Sequence, residues 1–225
     1  MKLLAGVALL LTLASPLVAQ TQSGMDAQFL EFWKAQPRVA LNVPAGGAKV
    51  VIVKFNDWMC PGCKYWYEQM KPVLAKHQAT PGAIKYVEKD WPWNTECNTE
   101  AGRTIPGHES ACAAAAAVRL AADRGKRDAM ADWVYANQPS TDAQRATILD
   151  RLKAKTTELL GITNVAAAYA TKLPEIRRDI ADGKAAKIST TPTYFINGVR
   201  TAAPDGSMIA PRYVEIAIQY ELQTK

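Results

Sequence analysis

Residues 50–63 read Val50-Val51-Ile52-Val53-Lys54-Phe55-Asn56-Asp57-Trp58-Met59-Cys60-Pro61-Gly62-Cys63. The β-branched run Val50–Phe55 predicts a strand buried on both faces. A helix is expected from about Pro61 to Gln78, kinked at Pro72. Between the two, a pair of cysteines three positions apart can close a small disulfide ring. A helix N-terminus presents unpaired N–H groups and positive dipole potential, which stabilise a thiolate at the first sulfur. Cys60 is therefore expected to be the exposed nucleophile, and Cys63, a turn further in, to resolve a mixed disulfide. Pro61 and Gly62 add no competing side-chain charge and are expected to tune the site. A C-x-x-C can also be half of a zinc site, but its place after a buried strand favours redox chemistry.

Working outward, Thr80-Pro81-Gly82 turns the chain and Ile84–Val87 reads as a second strand, completing a βαβ unit that is right-handed by default. Upstream, Asp26 is expected to cap a short amphipathic helix through Phe29, Leu30 and Trp33 that ends near Pro37. Downstream, Ala111–Ala136 reads as one Ala-rich helix with Met130, Trp133 and Val134 on one face. Thr141 or Asp142 caps another, carrying Ile148, Leu152 and Leu159. Tyr169, Leu173, Ile176 and Ile180 recur at helical spacing, with Pro174 bending or splitting that segment. Thr193–Ile196, the turn Asn197-Gly198 and Val199–Thr201 form a hairpin signature, and Pro211–Leu222 closes the chain as a helix. The fold class is thus α/β. A helical block of about ninety residues interrupts a βαβ…ββα framework.

The chain has 225 residues, 48% hydrophobic and 21% charged, which suits a globular protein and excludes wholesale disorder. Its net charge of +6 is spread along the chain without a dense Lys/Arg block, so nucleic acid is not an expected partner. Met1-Lys2, the apolar run Leu3–Leu13 and the processing region Ala14–Ala19 read as a signal peptide cut after Ala19. The run is too short to span a bilayer, and an uncleaved interfacial anchor is the alternative. The mature protein is expected to be soluble and periplasmic or secreted, where disulfides persist. The expected division is 1–19 signal peptide, 20–48 N-terminal helix and extension, 49–93 βαβ half, 94–186 helical insertion, and 187–225 ββα half.

The other two cysteines are Cys97 and Cys112. In an oxidising compartment an even cysteine count favours full pairing, here as a structural disulfide closing a loop of about fifteen residues and worth roughly 3 kcal/mol. A secondary redox shuttle or sensor is the alternative. His108 lacks regular ligand spacing to these thiols, so no metal site is expected, and the residue reads as a packing group. His77 reads as a surface residue. Trp58 and Met59 are expected to line an apolar groove for unfolded chains. Trp91 and Trp93 could do likewise, with packing beneath the insertion preferred. No cofactor is expected.

Thr191-Pro192-Thr193 before the terminal ββα unit, together with Cys60-Pro61-Gly62-Cys63, resembles the thioredoxin superfamily. The resemblance implies that Pro192 is cis and lies against Cys60, and that the Thr191 backbone pairs with a bound peptide strand. Thioredoxin halves around a helical insertion are similar to DsbA-like thiol:disulfide oxidoreductases. The segments Phe55-Asn56-Asp57, Glu96-Cys97-Asn98, His108–Ala114 and Thr191–Gly198 look most like exported members associated with membrane quinone-linked oxidases of the DsbB or vitamin K epoxide reductase type. Two departures stand out. No histidine lies between the cysteines, and Lys54 occupies the position, six before Cys60, where many members carry an acidic residue. A cation there would favour thiolate and raise oxidising power; alternatively, Lys54 snorkels to solvent and tunes nothing. The implied activity is oxidation of reduced client proteins by a monomer through Cys60–Cys63, with a membrane oxidase as partner. The alternatives are a reductase using the same cysteines and a non-catalytic client-binding or metal-carrying module.

Overall fold

The computed structural model describes residues 16–203 and 207–224. Of the expected signal peptide, residues 1–15 lie outside the described residues. The chain divides into two units, residues 1–35 and 36–225. The first contains helix α1, Pro16–Ala35, which runs through Ala19 and Gln20. It begins ten residues before the expected cap, so Asp26 is an interior helical residue. Leu17, Ala19, Gln20, Gln22 and Met25 are good helix formers, and one interior glycine, Gly24, does not outweigh them. Within α1, Phe29 makes ring contacts with Phe32 and Trp33. No helix among the described residues is long and apolar enough to cross a membrane.

The second unit is built on a four-stranded mixed sheet in the order β2-β1-β3-β4. Strand β1 (Val50–Asn56) pairs in parallel with β2 (Ile84–Asp90) and antiparallel with β3 (Thr193–Ile196), which forms a hairpin with β4 (Val199–Arg200). As expected for a central strand, β1 is almost wholly buried. The hairpin turns on Asn197 (φ 48°) and Gly198 (φ 83°), the left-handed pair that a two-residue turn requires. A Cβ at Gly198 would also lie 2.5 Å from the Val39 carbonyl oxygen, so the position excludes a side chain twice over.

Helix α2 (Pro61–Gln78) joins β1 to β2 and carries Pro72 as one continuous element, and α7 (Pro211–Gln223) packs against both α2 and β1. His77, in the last turn of α2, is buried rather than a surface residue. The insertion comprises α3 (Ala111–Ala122), α4 (Arg127–Ala136), α5 (Asp142–Leu160) and α6 (Val165–Ala185). The single helix expected over Ala111–Ala136 is therefore two. The break falls at Gly125, whose φ of 66° no right-handed helix can hold. Six of the eight alanines of α3, all but Ala113 and Ala122, are buried, and their small side chains let α4, α5 and α6 all pack on that one helix. The bundle is tied to the sheet through charge. Arg119 of α3 bonds Asp90 of β2 and Asp179 of α6, while Lys89 of β2 bonds Asp179 and Asp182. Asp90 also accepts from Trp58 Nε1 at 2.9 Å, so this network reaches the segment immediately before Cys60.

Candidate active site

Cys60 stands where β1 has ended and α2 begins. It is the N-cap of α2 in extended conformation (φ −76°, ψ 122°), with Pro61 in the first turn where its missing N–H costs nothing. Two anchors hold the preceding loop. The Cys60 N–H donates to Asp57 O (3.1 Å), and Gln138 Nε2, just beyond α4, donates to Trp58 O (2.9 Å) and Cys60 O (3.0 Å). Both cysteines are free thiols; Cys60 is partly exposed and Cys63 is fully buried.

The Thr191–Pro192 peptide bond is cis. Gly62 lies in the seam between this bond and the first sulfur. A Cβ built on it would sit 3.5 Å from Pro192 Cδ, 3.6 Å from Cys60 Sγ and 3.8 Å from Thr191 O. The Cys60 thiol donates to Thr191 O at 3.4 Å. The Thr191 hydroxyl accepts from Trp93 Nε1 at 2.9 Å, which leaves its own proton for the Cys60 sulfur.

These contacts make the two sulfurs unlike. Hydrogen bonding from the Cys63 thiol does most to lower the Cys60 pKa, helped by the Thr191 side chain and the Cys63 backbone N–H. Burial and the Asp57 carboxylate oppose them, and the balance brings Cys60 down to about 6. Burial pushes the Cys63 thiol well above its usual range, and its neighbour Cys60 adds to that. Near neutral pH the reduced site therefore holds a thiolate at Cys60 and a thiol at Cys63.

Lys54 does not reach solvent; it is 0% exposed, which overturns the snorkelling alternative. In register it lies between Glu88 on β2 and Tyr194 on β3. Its Nζ donates to Glu88 Oε1 at 2.8 Å and lies 5.7–5.8 Å from the ring centroids of Tyr67, Tyr135 and Tyr194. Glu88 is also bonded by Arg127. Burial alone would lower the Lys54 pKa, but the Glu88 charge and the phenolic oxygens around it hold it well above its usual value. Its field falls on Cys63, whose thiol it pulls down against the larger effect of burial. Any influence on the dithiol thus acts first on the second sulfur, and not on Cys60 as the sequence reading had it.

Trp58 and Met59 are each only 3% exposed, and the Trp58 edge lines a small cavity with Glu88, Asp90, Arg119 and Arg127 rather than the groove at Thr191 and Pro192. The Asp90 bond and a tilted ring contact with Tyr135 (5.1 Å between centroids) hold the Trp58 indole inward. Trp91 is buried against Gly183, where a Cβ would lie 2.4 Å from its ring, whereas Trp93 reaches the site through Thr191. Sequence reasoning gave Trp93 only as an alternative groove residue, and missed Gln138 and the pairing of His108 with Asp57. Asp57 and His108 lie in segments that carried the family likeness, but nothing in either segment pairs them, and Trp93 and Gln138 are brought in from loops. Cys97 and Cys112 are joined, closing a sequence separation of 15 residues. The Cys97→Ser/Cys112→Ser double variant is expected to lose about 3 kcal/mol in denaturant unfolding while keeping most of its exchange rate. A large rate loss at unchanged folded fraction would instead make the pair a redox relay.

A partly exposed sulfur at a helix N-terminus, a buried partner one turn on, and a cis-proline loop against them give a thioredoxin fold with the geometry of a thiol:disulfide oxidoreductase. The thioredoxin family model matches residues 45–208, and the chain belongs to that family. Among solved structures, a double Cys-to-Ala variant of α-DsbA1 from Wolbachia pipientis superposes with a TM-score of 0.60 at 15% identity, covering 79% of this chain and 88% of that one. ScsC of Proteus mirabilis in a transitional conformation gives 0.55 at 16% identity, covering 93% and 87%. Oxidised BdbD of Bacillus subtilis gives 0.53 at 19% identity, covering 84% and 94%. At these identities the likeness is one of fold. A comparison with curated proteins returns no significant match.

Proposed function

We propose that this protein is an exported thiol:disulfide oxidoreductase that oxidises client proteins by donating its Cys60–Cys63 disulfide. The observation that carries this reading is the contrast between the two sulfurs: Cys60 partly exposed among hydrogen-bond donors, Cys63 fully buried. A client thiolate attacks Cys60 Sγ, the Cys60–Cys63 bond breaks, and Cys63 leaves as a thiolate that takes up a proton. A second client thiolate then attacks the client sulfur of the mixed disulfide and releases Cys60 as a thiolate. The client loses two electrons and the dithiol gains them. A groove of about 120 Å³ beside the site, lined by Thr191, Pro192, Arg200, Thr201 and Met208, suits an extended client segment paired with the Thr191 backbone. Reoxidation falls to a membrane quinone-linked oxidase of the DsbB or vitamin K epoxide reductase type, which removes the two electrons. The leader-like residues 1–19 and the Cys97–Cys112 disulfide support an exported location.

Direction is set by the relative stability of the reduced form, because a stabilised Cys60 thiolate makes the disulfide a stronger oxidant. Equilibration in glutathione buffers is expected to give a potential more oxidising than about −230 mV. A value near about −270 mV, where reductants of the thioredoxin type sit, would reverse the assigned direction.

A further inference from the structure

His108 is 8% exposed, and its Nδ1 lies 2.8 Å from Asp57 Oδ2. Asp57 is itself 0% exposed and touches the dithiol from two sides: its N–H donates to Cys63 Sγ (3.4 Å) and its carbonyl accepts from the Cys60 N–H (3.1 Å). Its carboxylate also accepts from Met59 N (2.7 Å) and Trp93 N (2.6 Å). Those two donors are neutral, so His108 is the ionisable member among the carboxylate's partners. The loop that delivers the imidazole is well stapled. Ile105 N donates to Trp93 O (3.0 Å), Asn94 Nδ2 to Glu109 O (2.6 Å), and the Cys97–Cys112 disulfide closes the segment one turn further on.

We propose that His108 is a positioning residue of the dithiol: as an imidazolium on Asp57 it cancels a buried negative charge beside Cys60, and so couples the redox state of the site to a proton outside the C-x-x-C motif. The inference rests on the reading of Cys60 as the nucleophilic thiolate. Asp57 unaccompanied opposes a thiolate at Cys60, and protonated His108 removes that opposition. The charged groups facing His108 are Asp57, Cys60 and Glu109, and Glu109 is an exposed side chain engaged with Gly107 N. Burial by itself would lower the His108 pKa. The Asp57 hydrogen bond, with the charges of Asp57, Cys60 and Glu109, outweighs burial and raises it. The charge between the cysteines that this sequence lacks is thus supplied from the loop just before α3. As pH rises through the His108 pKa, the compensation is lost and the reduced form becomes less favoured.

Coupling between two titrating groups is reciprocal, which provides a test in the unmodified protein. The chain has two histidines, His77 and His108, so their imidazole NMR signals can be followed separately against pH. His108 is expected to titrate at least about half a unit higher in the reduced protein than in the oxidised one, with His77 unchanged. In His108→Asn, which keeps a hydrogen-bond donor near the Nδ1 position but no charge, the Cys60 thiolate absorbance midpoint is expected to rise by a similar amount. A unit corresponds to about tenfold in the thiolate–thiol equilibrium. The same His108 titration in both redox states would overturn the proposal whether or not the variant folds. A folded His108→Asn with an unchanged Cys60 midpoint would do so independently. An ordinary thiol midpoint for Cys60 in the wild type would instead remove the functional reading on which the inference stands.

Discussion

Cys63→Ala is expected to accumulate as covalent mixed disulfides with client proteins, whereas Cys60→Ala loses thiol–disulfide exchange altogether. The asymmetry follows from access and acidity. Cys60 is partly exposed, with a pKa lowered to about 6 by the Cys63 thiol and other hydrogen bonds, so it is largely thiolate at pH 7. Cys63 is fully buried with its pKa raised, so it reacts with little except the neighbouring sulfur. Without Cys63 an adduct on Cys60 has no internal escape. Without Cys60 no sulfur is placed for attack. Alkylation of the reduced protein should therefore label Cys60 first, with a rate that follows its thiolate fraction and falls as pH drops through about 6. Faster labelling of Cys63 would invert the roles.

Lys54→Met is expected to destabilise the fold by about 3 kcal/mol at neutral pH, the lower part of the range for stranding one member of a buried ion pair. Glu88 keeps Arg127, which is why the loss falls at that end. The Lys54 pKa is raised in the folded state, so its stabilisation is fully present below the ordinary lysine pKa of about 10.4 and is lost as pH rises through the folded value. Burial would raise the Glu88 pKa, yet the Lys54 and Arg127 charges hold it below its usual value. Its contribution is present above about pH 4.3 and is lost as pH falls through the folded pKa. Removing Lys54 lifts that pKa, so acid unfolding of the variant should begin at higher pH. The double variant Lys54→Met/Glu88→Gln should recover part of the loss in urea titrations. A single-variant loss under about 1 kcal/mol, with no recovery, would show that the pair contributes little. Because the Lys54 field falls on Cys63, the single variant should also slow the attack of Cys63 on a mixed disulfide at Cys60, the internal escape route, more than it shifts the Cys60 thiolate midpoint.

Much of the fold was legible because it is written in local chemistry. The run Val50–Phe55 is β-branched and apolar, Asn197-Gly198 meets the backbone demand of a tight hairpin, and Pro211 opens a helix at the one place proline favours it. Errors came where a local signal was ambiguous. Alanines on both sides of Gly125 read as one helix, although its positive φ makes two. Asp26 looked like a cap but lies inside α1, whose good helix formers extend upstream. Trp58 and Met59 looked like a binding surface because indole and thioether suit one, yet Asp90 and Tyr135 draw Trp58 inward.

The sequence by itself determined the dithiol and its order, since a C-x-x-C after an apolar strand puts one sulfur at a helix N-terminus and the other a turn inside. It also singled out Pro192 and the pairing of Cys97 with Cys112. Only the tertiary structure decided what surrounds the sulfurs. Lys54 was equally consistent with solvent and interior until β2 and β3 placed Glu88 and Tyr194 on either side of it. Trp93, Gln138 and His108 lie 33, 78 and 48 residues from Cys60 in sequence, and loops and helix packing bring them to its neighbourhood. The physical reason is one of range. Hydrogen bonding within a helix or turn is set by residues a few positions apart, whereas the field on a buried sulfur is a sum over neighbours in space, and chain periodicity says nothing about which distant residues those are.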